Sequence, residues 1–406
     1  MLYGVNAASL AGNLKAEARR MGFAAVGIAS VEPFERDRER ALRAIDEGRM
    51  RGMPWYTVER VRAASDLRGR YPWSRSIVSL ARPYAPAMPA GPQPGAVPSP
   101  PSPARGRLSS YACLEGGGTA VDYHDLLADR CRELGEWVRR RVPGARTKHF
   151  VDHGWALDRA VAERAGVGFC GKNTTLITRE AGSYVLLAEL LTSVDLPTDA
   201  PSPKGCGTCR ACLPSCPTGA LVRPGVIDST RCISYLTIEH RGPIPIELRP
   251  LIGDWVFGCD LCQEACPINH RRAPASLERG PASTRSGPVP YPDLVECLEL
   301  TEEQFSARFG GTAVSRTGRA GLARNCAVAL GNSGDQSALA SLTRARDTDP
   351  DGAVREAAEW ALGRLIPGAA LPKQQNGGAR TDHEGRSGAR EEQRERLGVA
   401  RPPRPR

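Results

Sequence analysis

The sequence predicts an α/β (α+β) N-terminal domain, a small ferredoxin-like domain and a C-terminal HEAT-like helical domain. Apolar, β-branched runs at 23–30 (FAAVGIAS), 76–84 (SIVSLARPY) and 183–194 (SYVLLAELLTSV) alternate with amphipathic helical patterns in the first half. Eight cysteines crowd between positions 206 and 266. Beyond residue 290 the chain turns to short helical patterns with Ala/Leu faces, as in stacked helix pairs.

The chain has 406 residues, which allows two or three domains and a sizeable core. Its formal charge of +10 points to an anionic partner, with nucleic acid first among them. No apolar run after a basic patch marks a signal peptide, and no stretch reaches the length of a membrane span. A reducing cytoplasm suits the many free thiols.

The N-terminal domain is expected over residues 1–195. Residues 8–21 form an amphipathic helix stopped by Gly22, and 23–30 a strand. A helix covers 33–47 and a strand 76–84. Residues 85–105 are proline-rich and form a loop, because proline removes backbone donors. A helix over 121–140, a strand over 149–152, a helix over 157–166 and a strand or buried element over 183–194 complete the domain.

The cysteine domain is expected over 196–285. It reads Cys206-x2-Cys209-x2-Cys212-x3-Cys216-Pro217, then Cys232, then Cys259-x2-Cys262-x3-Cys266-Pro267. The first run has the spacing of two-cluster bacterial ferredoxins, in which the cysteine before proline ligates the other cluster. The second run lacks one close thiol, and Cys232 supplies it. This predicts two [4Fe-4S] clusters: one on Cys206, Cys209, Cys212 and Cys266, the other on Cys216, Cys232, Cys259 and Cys262. Cys113, Cys131, Cys170, Cys297 and Cys326 have no partners at ligand spacing, and Cys170 is expected to be a small buried side chain.

A polar joint over 271–290 leads to the helical domain at 290–365. Helices are expected over 298–310, 319–332 and 353–365, with a shorter one between the last two. Residues 366–406 are charged and glycine-rich, and are expected to be a disordered tail.

Several further motifs accompany the cysteines: GRMRGMPWY at 48–56, SSYA at 109–112, DYH at 122–124, VDHGWALDRAVAERAGVGFCGKNTTLI at 151–177, RCISYLTIEHRG at 231–242 and FGGTAVSRTGRAGLARNCAVALGN at 309–332. With them the chain resembles the epoxyqueuosine reductases over about residues 10–365. That resemblance implies a cobalamin-binding N-terminal domain and an enzyme that reduces epoxyqueuosine to queuosine at the wobble position of tRNA. An external low-potential donor would feed electrons through the clusters to cobalamin, in a monomer that meets tRNA and no membrane.

The resemblance also implies site residues. Asp152 opens its motif where the family places its catalytic acid, and would also lie against the cofactor; capping a helix or pairing with Arg159 is its structural alternative. His153 is a secondary candidate. Lys172 and Asn173, in a glycine-rich turn, would meet the corrin. Ser234 and Tyr235 follow Cys232 and would lie between corrin and cluster. Arg316, Arg319 and Arg324 are the basic candidates for tRNA phosphates. The segment over 114–120 is longer and glycine-rich here and could reshape the pocket rim. The rival readings are another corrinoid reductase of the reductive-dehalogenase type, a ferredoxin-like electron carrier, and a tRNA-binding protein that keeps its clusters for folding.

Overall fold

The computed structural model describes residues 7–84, 104–116, 119–152, 154–202, 205–270 and 288–366. The proline-rich loop, the greater part of the polar joint, His153 and the tail from 367 fall outside the described residues.

A four-stranded antiparallel sheet organises the N-terminal half. Its order is Ala25–Ser30, Ser76–Pro83, Val185–Thr192, Thr147–Phe150. The two central strands are buried at most positions because both faces are covered. Helix Ala7–Arg20 ends at Gly22, whose φ of +94° costs a glycine little. Helix Tyr123–Arg141 packs against Thr147–Phe150 and Val185–Thr192, burying Leu127, Cys131, Leu134 and Val138. Asp122 caps that helix by accepting from the His124 backbone N–H.

The strand expected over 149–152 is displaced. It runs Thr147–Phe150, and its ladder ends where Phe150 pairs with Glu189. Asp152 therefore lies in a turn, with φ +51°, and helix Asp158–Arg164 follows. A hairpin of Gly168–Cys170 and Leu176–Thr178 carries the GKN turn, where Thr174 holds φ +67°. The glycine-rich insertion forms a short hairpin, Glu115–Gly116 with Thr119–Ala120.

The cysteine segment has little regular structure, but polar side chains knit it to both neighbours. Strand Trp255–Phe257 runs parallel to Arg107–Leu108. Buried Asp260 accepts from Ser109 Oγ at 2.5 Å, Ser110 N at 2.8 Å and Ser110 Oγ at 2.7 Å. The SSYA motif thus anchors the second cysteine run.

The C-terminal helices are Leu294–Leu298, Glu302–Phe309, Gly318–Ser333, Leu339–Thr348 and Gly352–Leu365. The helix expected over 298–310 is Glu302–Phe309, and a further short helix, Leu294–Leu298, precedes it. Thr301 separates the two, because its side chain starts a new capping box with Gln304. Helices Gly318–Ser333 and Gly352–Leu365 approach closely at Gly331, where a Cβ would stand 2.8 Å from Ala361 Cα. Cys297 and Cys326, both buried, come within hydrogen-bonding reach of each other in this layer, a pairing their separation in sequence concealed.

Candidate active site and cysteine centre

Asp152 stands at the head of a chain of polar groups. Its carboxylate accepts from the Tyr123 hydroxyl and lies 3.9 Å from His124 Nε2. His124 Nδ1 meets Asp122 Oδ1 at 2.9 Å, and Arg316 Nη2 donates to both Asp122 oxygens at 2.8 Å. The Arg316 guanidinium also lies 5.0 Å from the Tyr123 ring centroid, and His124 stacks on that ring at 4.2 Å. The Asp152 side chain remains 53% exposed, so the chain of groups opens to a visitor from solvent.

The helix start builds this arrangement. Asp122 is the cap, so Tyr123 and His124 occupy the first turn and reach the Asp152 turn together. Burial pushes the Asp122 carboxyl up, but hydrogen bonds from the His124 ring and backbone, with the Arg316 charge, win and hold it at about 2. Burial, and after it the Asp152 charge, pushes Tyr123 far above the usual phenol range. Tyr123 is therefore a donor at any working pH. Neither structural alternative for Asp152 is found: Leu157 is the cap residue of the next helix, and Arg159 donates to the Thr174 carbonyl at 2.5 Å.

Beneath the turn lie two further acids, Asp158 and Glu189. Glu189 is fully buried, and neither of its oxygens nor Asp158 Oδ1 has a geometric hydrogen-bond partner among the described residues. Burial is the main cause that raises both; the Asp152 charge adds to it for Asp158, which is pushed up to about 7, and the Asp158 charge adds to it for Glu189.

Thiols of the series act on one another electrostatically, although among the described residues no group of three or more His, Cys, Asp or Glu side chains converges as metal ligands would. Burial and then the charge of Cys206, with Cys266 and Cys209 following, push Cys212 up. Burial and then Cys232, with Cys216 among the neighbours, push Cys262 up to about 12. Cys259 is raised by burial and then by Cys232 and Cys262. Thiols this reluctant to ionise alone are suited to a cationic iron core, which reverses that preference. Cys232 is the cap residue of helix Ile233–Ile238, without a side-chain cap hydrogen bond.

Lys172 and Asn173, expected at the corrin, meet protein groups in this structure. Lys172 Nζ donates to the Gly207 and Cys209 carbonyls at 2.6 and 2.8 Å, and its backbone N–H reaches Cys206 Sγ at 3.4 Å. Buried Asn173 donates to the Cys262 carbonyl at 3.3 Å. Both hold cysteine loops in place. Ser234 is half-buried, and Tyr235 donates its hydroxyl to the Gly52 carbonyl at 3.1 Å. Cys170 is exposed, not buried as expected, because the hairpin turns it outward.

The three arginines also need correction as a phosphate row. Arg324 is buried and donates to the Leu236, His240 and Gly242 carbonyls. Arg319 is spent on a two-pronged ion pair with Asp349, at 2.8 and 2.9 Å. Arg316 belongs to the Asp152 chain. Helical spacing brought them into one pattern, but the helix turns these side chains into the protein.

The comparisons with known proteins agree with this geometry. A model described as "4Fe-4S double cluster binding domain" matches residues 205–269. A second, described as "Epoxyqueuosine reductase QueG, DUF1730", matches residues 65–153. The epoxyqueuosine reductase of Pseudomonas aeruginosa is 39% identical over 360 residues, covering 88% of this chain and 95% of that one. The chain belongs to the epoxyqueuosine reductase family. The Gloeobacter violaceus member is 37% identical over 82% of this chain and 99% of its own. An epoxyqueuosine reductase solved with an epoxyqueuosine-modified tRNA-Tyr stem loop superposes with a TM-score of 0.77 at 33% identity, covering 89% of this chain and 91% of that one. The Streptococcus thermophilus reductase gives 0.76 at 27% identity, over 97% and 95%.

In this family member, sequence reasoning assigned no role to Asp122, Tyr123 or His124. The signal was present: an acid, a phenol and an imidazole in succession at a helix start. Among the described residues no helix is long and apolar enough to cross a membrane.

Proposed function

We propose that this chain reduces epoxyqueuosine to queuosine at the wobble position of tRNA. The observation that carries the reading is the Asp152–Tyr123–His124–Asp122–Arg316 chain, half open to solvent, in a member of this family. Converting an epoxide to an alkene takes up two electrons and two protons and releases water. Asp152 delivers a proton to the epoxide oxygen as its C–O bond breaks. Tyr123 fixes the orientation of that carboxyl group, while His124, Asp122 and Arg316 hold a fixed charge pattern behind it.

Two [4Fe-4S] clusters fit the donor set. Cys206, Cys209, Cys212 and Cys266 would hold one; Cys216, Cys232, Cys259 and Cys262 would hold the other. Lys172 and Asn173 brace these loops. For cobalamin the candidates are half-buried Ser234 and Tyr235, which follow a proposed cluster ligand. When bound, clusters and cobalamin supply the two electrons at low potential. A Bacillus subtilis relative was solved with its catalytic aspartate loop swung out of the active site, and the Asp152 turn is our counterpart of that loop. A reducing cytoplasm suits the thiols and the tRNA substrate.

Anaerobic reconstitution tests the reading. Iron and sulfide analysis is expected to give about eight of each per chain, and about four would overturn the two-cluster assignment. Nucleoside mass analysis after reaction with epoxyqueuosine-bearing tRNA is expected to show loss of one oxygen.

A further inference from the structure

The Asp152 turn has a structural problem. Its strand ladder ends at Phe150, and Asp152 adopts φ +51°, a conformation that a non-glycine residue keeps only when its surroundings impose it. Tyr123 holds one side of the turn through the carboxylate. The other side is held from helix Val58–Ser65, a segment outside every motif that carries the catalytic chemistry.

We propose that Arg60 is a positioning residue that latches the Asp152 turn in place for proton delivery. Its Nη2 donates to the Gly154 carbonyl at 3.0 Å, two residues beyond Asp152. Its guanidinium lies 5.3 Å from the ring centroids of both Trp55 and Trp155. Arg70 covers Trp155 as well, at 3.8 Å. Gly154 itself packs on Phe150, where a Cβ would stand 2.5 Å from Phe150 Cβ. The turn is therefore gripped by a directional hydrogen bond and a cation–ring contact with Trp155 on the same cation.

An arginine suits both contacts at once. Its planar head offers edge donors to a carbonyl while its faces meet aromatic rings. Thr57 fixes the root of the side chain, because its Oγ1 caps the helix by accepting from the Arg60 backbone N–H at 3.2 Å. Trp55 is 48% exposed, so this grip stands at the surface, where a docking substrate can reach it. The latch acts through Asp152 and does not touch the reacting atoms.

The inference rests on the reduction proposed above, but its decisive readout does not. Hydrogen–deuterium exchange over residues 150–157 is compared in the reconstituted wild type, Arg60→Met, Arg60→Lys and Trp155→Phe. Arg60→Met is expected to speed exchange there about tenfold, the scale of one hydrogen bond plus one cation–ring contact. Turnover of epoxyqueuosine-bearing tRNA falls by a similar factor in kcat, with KM and iron content unchanged. Arg60→Lys restores part of the protection by keeping a donor for Gly154, and Trp155→Phe keeps most of it by keeping a flat face. Unchanged exchange in a folded, iron-loaded Arg60→Met protein overturns the latch, as does a global rise that spares no other segment. An inactive wild type with the expected exchange pattern removes the substrate assignment and leaves the latch standing.

Discussion

Tyr123 donates its hydroxyl to the Asp152 carboxylate, across the gap between a helix start and a turn that has left its sheet. With its ionisation pushed far up by burial and by Asp152, Tyr123 works as a permanent donor. Tyr123→Phe removes that donor and nothing else of the ring. Turnover is expected to fall about tenfold, the value of one charge-assisted hydrogen bond. Steady-state kinetics on iron-loaded protein checks this; wild-type kcat in the phenylalanine variant would show that the bond orients nothing.

Asp122 gives a pH signature. Its folded value, about 2, lies below the ordinary carboxylate value of 3.8. The stability it contributes is therefore present above about pH 4 and is lost as pH falls toward 2. Thermal unfolding of wild type against Asp122→Asn should show a stability gap at pH 5 to 7, roughly, that closes on acidification. A gap independent of pH would contradict the charge pattern assigned to His124 and Arg316.

The buried acids predict the opposite slope. Asp158 is raised from 3.8 to about 7, and Glu189 is raised as well, chiefly by burial. Their contribution is full below the unfolded value and is lost as pH rises through the folded one. The double variant Asp158→Asn, Glu189→Gln should flatten the fall in stability of the wild type between about pH 4 and pH 7. Parallel melting curves for both proteins across that range would show that the pair is ionised as folded.

Arg324 separates a structural arginine from an RNA-binding one. Arg324→Met leaves the Leu236, His240 and Gly242 carbonyls without their donor. Stability is expected to fall by about 3 kcal/mol, the scale for breaking a buried, hydrogen-bonded charge. The salt dependence of tRNA binding stays unchanged, since no phosphate contact is lost. A shallower salt slope would return Arg324 to the RNA surface.

Much of the fold was legible because period and punctuation are local. The helix expected over 121–140 is Tyr123–Arg141, and the strand or buried element expected over 183–194 is strand Val185–Thr192. The iron-sulfur character of residues 205–269 was legible because ligand spacing is short-range chemistry. The end of the strand at Phe150 was not, because register with Glu189 is a tertiary matter. Arg319 and Arg324 were misread for a related reason. A basic residue in a motif carries no sign of whether a carbonyl, a carboxylate or a phosphate meets it. Arg60 lay outside the motifs, and only the folded turn reveals its partner at Gly154.

The central claim is that Asp152 delivers the proton that lets the epoxide oxygen leave. The direct test is a single-turnover reaction of reconstituted, prereduced wild type and Asp152→Asn with epoxyqueuosine-bearing tRNA, followed by nucleoside mass analysis. The wild type should yield queuosine, and the asparagine variant, equally loaded with iron and cobalamin, should be slower by about a hundredfold or more. Equal rates would contradict the role of Asp152, and no product from a fully loaded wild type would contradict the reaction itself.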